Sequence, residues 1–179
     1  MNKHKTPRVL IIAGSDSSGG AGIQADIKTL TVFKVFSMTA ITAITAQNTN
    51  GVSSVESVSL DLIKKQIEDC ISDIGVDAIK IGMVNKGEIF DLIFEAIKKY
   101  EILKKGIPII LDPVMFAKGG FPLLENQAIS ALKGSPWAKR TRAIQRRASG
   151  IIGALLHTAS TSLRALGSRA LEMLLLSAS

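Results

Sequence analysis

The chain predicts an α/β fold, a central and mainly parallel sheet with helices on both faces. Two observations predict it. Short apolar runs of strand length alternate with segments whose apolar residues recur at helical spacing. Each run then ends in a glycine, an amide or an Asp-Pro pair, residues that stop strands and open loops. Right-handed crossovers join the parallel strands of such a chain.

The first strand is Arg8 to Ala13, and it runs into Ala13-Gly-Ser-Asp-Ser-Ser-Gly-Gly-Ala-Gly22. Four glycines, Gly14, Gly19, Gly20 and Gly22, fall within nine positions. Ile23 to Phe33 follows as a helix, with Ile23, Ile27, Leu30 and Val32 as its apolar residues. Strand, glycine-rich turn and helix present backbone N–H groups and a helix N-terminus to an anionic or polar ligand. No Gly-Lys-Ser/Thr follows, so the loop is not a Walker A loop, and no G-x-G-x-x-G dinucleotide fingerprint is present.

Met38 to Ala46, rich in Thr and Ile, predicts one buried strand ending at Gln47. Val52 to Val58 predicts a short extra strand. Ser59 to Ile74 predicts a helix with Ser59 as N-cap, Asp61 in its first turn and Gly75 at its end. Ile63, Ile67, Cys70, Ile71 and Ile74 share one face, so Cys70 reads as a core thiol rather than a nucleophile. Ala78 to Ile81 is a strand ending at Gly82-Met83. Gly87 to Tyr100 is a helix with Ile89, Leu92, Ile93, Ala96 and Ile97 on its face. Ile107 to Leu111 is a strand stopped by Asp112-Pro113, and Leu123 to Lys133 is a helix. The glycine loop, Gln47-Asn48, Gly82-Met83 and Asp112-Val114 each follow a predicted strand. They therefore converge where open parallel sheets bind ligands.

A chain of 179 residues with one cysteine suits one domain without an internal disulfide or a cysteine metal cluster. It has no apolar run of about 18 residues and no signal-peptide h-region. A soluble, cytoplasmic protein with no membrane partner is expected. The net charge of +7 is unevenly distributed: residues 1–133 carry 15 Lys+Arg against 14 Asp+Glu, and residues 134–179 carry seven against one. Basicity therefore belongs to the tail.

Four segments resemble, in order, the hydroxymethylpyrimidine/phosphomethylpyrimidine kinases of thiamine synthesis, in the ribokinase superfamily. They are Ala13 to Thr29, Thr42-Ala-Ile-Thr-Ala-Gln-Asn-Thr49 with Gly51-Val52, Ile79-Lys-Ile-Gly-Met83, and Leu111-Asp-Pro-Val-Met115 with Ala117-Lys-Gly-Gly120. The resemblance covers roughly residues 7 to 133 and implies a ribokinase-like fold. It further implies phosphorylation of hydroxymethylpyrimidine, and then of its monophosphate, with ATP and Mg²⁺. In this family the pyrimidine lies over the first loop. By motif match Ala21 lines the site, Gln47 hydrogen-bonds the aminopyrimidine edge, and Met83 and Val114 wall the ring. Asp26 falls near the hydroxymethyl end; its plainer reading is a first-turn helix aspartate. Asp112 falls toward the phosphate and Mg²⁺ region; its plainer reading is a turn residue. Lys80 sits inside a strand, reads by default as a solvated or strand-end lysine, and is given no role. His4 and His157 lie outside the matched motifs.

The resemblance stops near Lys133. The family's Asn/Glu segment, Lys-Gly-Gly stretch and Gly-Thr-Gly-Cys/Asp anion hole do not follow, so the catalytic residues are unassigned and the chain is expected to be truncated, with activity lost or severely impaired. Residues 134–179 are expected to be a non-homologous, possibly frameshifted tail. DNA able to encode Arg169 to Leu174 can read Gly-Thr-Gly-Asp-Ala in another frame. A competing reading gives Lys139, Arg140, Arg142, Arg146 and Arg147 to nucleic acid. The scarcity of aromatics beyond Trp137 counts against it. Residues 150 to 176 stay open as an apolar helix packing on the body or on a second chain, as does a homodimer. So do a pyridoxal/pyridoxine kinase and a non-catalytic pyrimidine-binding protein.

Overall fold

The computed structural model describes residues 6–112. The elements run β1 (Arg8–Ala13), α1 (Gly22–Val32), β2 (Phe36–Ile41), β3 (Ala43–Gln47), β4 (Val52–Ser57) and α2 (Leu60–Asp69). A π-helical turn (Cys70–Ile74), β5 (Ala78–Ile81), α3 (Gly87–Lys99) and β6 (Ile109–Leu111) follow. Four strands form one sheet in the order β2-β1-β5-β6. All three pairings are parallel. The expected helix over 123–133, Val114 and the basic tail lie outside the described residues.

β1 shows why the sheet is sandwiched. Successive strand residues point to opposite faces, and both faces of β1 are apolar. Val9, Ile11 and Ala13 pack with Ile23 and Leu30 of α1. Leu10 and Ile12 pack on the other side with Ile63 and Ile67 of α2 and Ile89, Ile93 and Ile97 of α3. Leu10 is 0% exposed, and cutting such a side chain to alanine costs about 2–5 kcal/mol. Arg8 ties the sheet's lower edge: Nε and Nη2 donate to the two oxygens of Asp77, each at 2.9 Å.

Two expectations need correction. The run Met38 to Ala46 is two strands, broken at Thr42. The Thr42 N–H donates to the Ala13 carbonyl (3.1 Å), and its hydroxyl donates to the Met83 carbonyl (2.8 Å). Beyond it the chain leaves the parallel sheet and pairs β3 antiparallel with β4. Ile44 of this hairpin is 56% exposed, so the run is not one buried strand. The helix from Ser59 begins as expected, with the Ser59 hydroxyl accepting from the Leu62 N–H. Its last turn widens to a π turn, closed by the Gly75 N–H on the Cys70 carbonyl (3.0 Å). Of the apolar residues of α1, Ile23 and Leu30 are buried while Val32 is 78% exposed.

Candidate functional site

The strand ends of β1, β5 and β6 lie side by side, and the glycine loop leaves the first of them. Gly22 shows why glycine is needed there. Its φ is +58°, and a Cβ would lie 2.5 Å from the Gly14 carbonyl oxygen. Any other residue would be strained by backbone and contact alike.

The loop does not present its N–H groups outward, contrary to the reading of it as an anion cradle. It wraps around Asp16, which is 2% exposed. Asp16 Oδ1 accepts from the Ser18 N–H (2.8 Å) and hydroxyl (2.7 Å). Oδ2 accepts from the N–H groups of Gly20 (3.0 Å) and Ala21 (2.7 Å). Burial pushes the Asp16 carboxyl up, but hydrogen bonds from Ser18, Ala21 and Gly20 outweigh it and hold the group below its ordinary value. The loop thus carries its own anion, and its surface is a formed platform rather than a phosphate nest.

Gln47 does not stand at the end of a parallel strand. The β3–β4 hairpin carries it back to the glycine loop. Ser17 Oγ accepts from the Gln47 N–H (2.7 Å) and donates to its carbonyl (2.8 Å). Thr45 Oγ1 donates to the Ser15 carbonyl at 2.9 Å and lies 3.4 Å from Gln47 Oε1. Met83, at the end of β5, packs its methyl against Gly14, where a Cβ would collide with it. Ala21 is exposed on the platform next to the first turn of α1. The first loop, Gln47 and Met83 are therefore joined by direct contacts.

Asp26 and Lys80 overturn their plainer readings. Asp26 is not in the first turn of α1, which holds no acidic residue. It is buried and takes the Lys80 ammonium on both oxygens, at 2.7 and 2.6 Å. Lys80 is not solvated: it is 6% exposed, and its Nζ also lies 3.7 Å from Asp112 Oδ2. Burial pushes the Asp112 carboxyl up; Lys80 pulls it down, Asp26 pushes it up again, and the net direction is up. Asp112 is thus part of a buried charge cluster and not only a turn residue. Cys70 packs partly buried against the larger core, and burial with the nearby Asp69 charge raises its thiol pKa, the opposite of an activated nucleophile.

Sequence reasoning missed Lys80 and Asp16. Lys80 lies between Ile79 and Ile81 in a strand buried on both faces, where a charge requires a partner. Asp26 sits three residues after Ile23 and four before Leu30, on the apolar stripe of α1, and so signals that partner. Asp16 precedes Ser18 by two positions, the spacing of an Asx turn.

Among the described residues no group of three or more His, Cys, Asp or Glu is arranged to hold a metal. No helix is long and apolar enough to cross a membrane. A family model described as phosphomethylpyrimidine kinase matches residues 16–139. A hydroxymethylpyrimidine/phosphomethylpyrimidine kinase of Haemophilus influenzae is 50% identical over 127 residues, 70% of this chain and 45% of that relative. A crystal structure of phosphomethylpyrimidine kinase from Clostridium difficile superposes with a TM-score of 0.64 at 39% identity, covering 90% of this chain and 71% of the other. A pyridoxal kinase from Staphylococcus aureus, in complex with AMP-PCP and pyridoxal, superposes with a TM-score of 0.58 at 32% identity, covering 75% and 46%. The chain spans about half the length of the curated relatives it matches.

Proposed function

This chain belongs to the phosphomethylpyrimidine kinase family, and we propose that its described residues form the pyrimidine-binding side of an ATP-dependent kinase of thiamine biosynthesis. The reaction transfers the γ-phosphoryl group of ATP to the hydroxymethyl oxygen of an aminopyrimidine. An O–P bond to the hydroxymethyl oxygen forms as the γ-phosphorus bond to ADP breaks, and the hydroxyl proton passes to solvent. A second transfer places the γ-phosphoryl group of another ATP on a phosphate oxygen of the resulting monophosphate, so that a P–O–P bond forms as the bond to ADP breaks. Such chemistry depends chiefly on position and on balancing developing charge.

The contact network around the glycine loop carries this reading. A flat ring rests on the loop platform beside Ala21, with the Met83 side chain as an apolar wall. The Gln47 amide offers both a donor and an acceptor to the aminopyrimidine edge. Asp26 faces the hydroxymethyl end as a carboxylate, and Val114 is proposed as a second wall by motif match. Asp112 is a hard oxygen donor at a strand end, paired with Lys80 only at 3.7 Å, which fits Mg²⁺ bound by one carboxylate plus substrate phosphates. When bound, Mg²⁺ neutralises phosphate charge. Small-molecule pyrimidine and MgATP are thus the proposed partners, and the cytoplasm the proposed compartment.

Ligand-induced stabilisation of the chain tests the reading. The hydroxymethyl aminopyrimidine should raise the unfolding midpoint in a concentration-dependent way. The pyridoxal kinase likeness favours a second reading, in which a vitamin B6 ring occupies the same platform. A larger shift with pyridoxal than with the pyrimidine would move the assignment to that substrate.

A further inference from the structure

Lys80 stands in a place where a lysine is costly. Its strand neighbours Ile79 and Ile81 pack into the larger core, so Lys80 projects to the α1 side of the sheet. There its register partners are Ile11 on β1 and Ile110 on β6. Both belong to the apolar cluster under α1. An ammonium in such surroundings survives only when paired. The pair itself is not a device for stability, since well-packed apolar replacements of buried ion pairs are often as stable or more so. Its position is therefore the informative fact. The Nζ lies beside Gly82, 3.6 Å from where a Cβ on that glycine would be. That is the carboxyl end of the sheet, where open α/β folds hold their ligands.

The geometry is also selective. The ammonium takes both oxygens of Asp26, at 2.7 and 2.6 Å, and stands off from Asp112 at 3.7 Å. It thus locks one carboxylate from α1 in orientation while leaving the other, beyond β6, loosely held. A carboxylate has about four acceptor sites, so two remain on Asp26 after Lys80 is satisfied. The cluster therefore has acceptor oxygen left over on Asp26 for a further hydrogen bond.

We propose that Lys80 is a positioning residue of the acceptor site: it fixes the Asp26 carboxylate so that this group accepts the hydrogen bond of the ligand's hydroxymethyl group, and so sets the preference for a hydroxymethyl over a methyl substituent. The inference rests on the pyrimidine-binding reading above. Lys80 touches no ligand atom and acts through Asp26.

The test is calorimetric titration of the full chain with two aminopyrimidines, identical except that one carries a hydroxymethyl and the other a methyl group. The unaltered chain should bind the hydroxymethyl compound roughly tenfold or more tightly, the worth of a hydrogen bond to a charged acceptor. Lys80→Met should bring that ratio close to one while leaving affinity for the methyl compound within about twofold, because ring contacts to the loop and Gln47 persist. Asp26→Asn should do the same, and the double variant should lose no further preference. A purely structural role would instead weaken both compounds alike. Should Lys80→Met fail to fold, Lys80→Gln, whose single amide group cannot reproduce the ammonium's hold on both Asp26 oxygens, should cut the preference severalfold without abolishing it. A preference undiminished in the folded Lys80 variant overturns the inference alone. Failure of the unaltered chain to bind either compound overturns the pyrimidine reading, and the inference with it.

Discussion

Replacing Asp16 by asparagine should destabilise this protein although it deletes no atom of bulk. Four donors converge on the carboxylate at 2.7–3.0 Å: the Ser18 N–H and hydroxyl, and the Gly20 and Ala21 N–H groups. An amide offers one acceptor oxygen in place of two. Whichever way it turns, its NH₂ faces a pair of donors. A hydrogen bond to a charged group is worth about 1.5–3 kcal/mol net, so two lost bonds set an upper range of about 3–6 kcal/mol. Ser18 and Gly20 are exposed, and their freed donors turn to water. The expected loss is therefore about 1.5–3 kcal/mol. The pH dependence has a fixed sign. The folded Asp16 carboxyl titrates below its ordinary value. Its contribution is present above the unfolded carboxylate value of about 3.9 and is lost as pH falls through the lower folded value. Urea unfolding of both proteins at pH 7 and at successively lower pH measures this. The gap should be open at pH 7 and narrow toward acid. Equal stability to within about 0.5 kcal/mol at pH 7, or a gap that persists unchanged in acid, would refute the account of the loop.

Further outcomes follow from single contacts. Gly22→Ala should cost about 1–3 kcal/mol in thermal unfolding, because it combines a φ of +58° with a clash against the Gly14 carbonyl. Thr42→Val removes the hydroxyl that holds the Met83 carbonyl. It should cost about 1–3 kcal/mol and speed proteolysis within the β3–β4 hairpin relative to the sheet. Glu68→Gln removes the half-buried partner of the exposed Lys99, a surface ion pair, and should leave the unfolding midpoint unchanged.

The elements bearing long apolar patterns were legible from the chain, as β1, α2, β5 and α3 show. Their residues face cores on one or both sides, so periodicity and burial coincide. The break at Thr42 was not legible, because the run around it is continuously apolar or β-branched. What divides it is a hydroxyl reaching a carbonyl 41 residues away. The π turn was hidden for a similar reason: Cys70, Ile71 and Ile74 serve the core in either helical form. In the site, Gln47 and Met83 could be read from motifs, and the structure adds how each reaches the glycine loop. Asp16 and Lys80 were overlooked because each was weighed alone. Asp16 is explained by donors within its own loop, and Lys80 only by Asp26, 54 residues earlier.

The central claim is that the ring binds on the glycine loop against Met83, and methionine-methyl NMR tests it most directly. The chain has five methionines. Met83 lies at the loop, and Met38, on β2, is buried in the larger core. With ¹³C on the methionine methyls and Met83 assigned through Met83→Leu, addition of the hydroxymethyl aminopyrimidine should shift the Met83 resonance and leave Met38 in place. Binding that leaves Met83 unmoved would contradict the account.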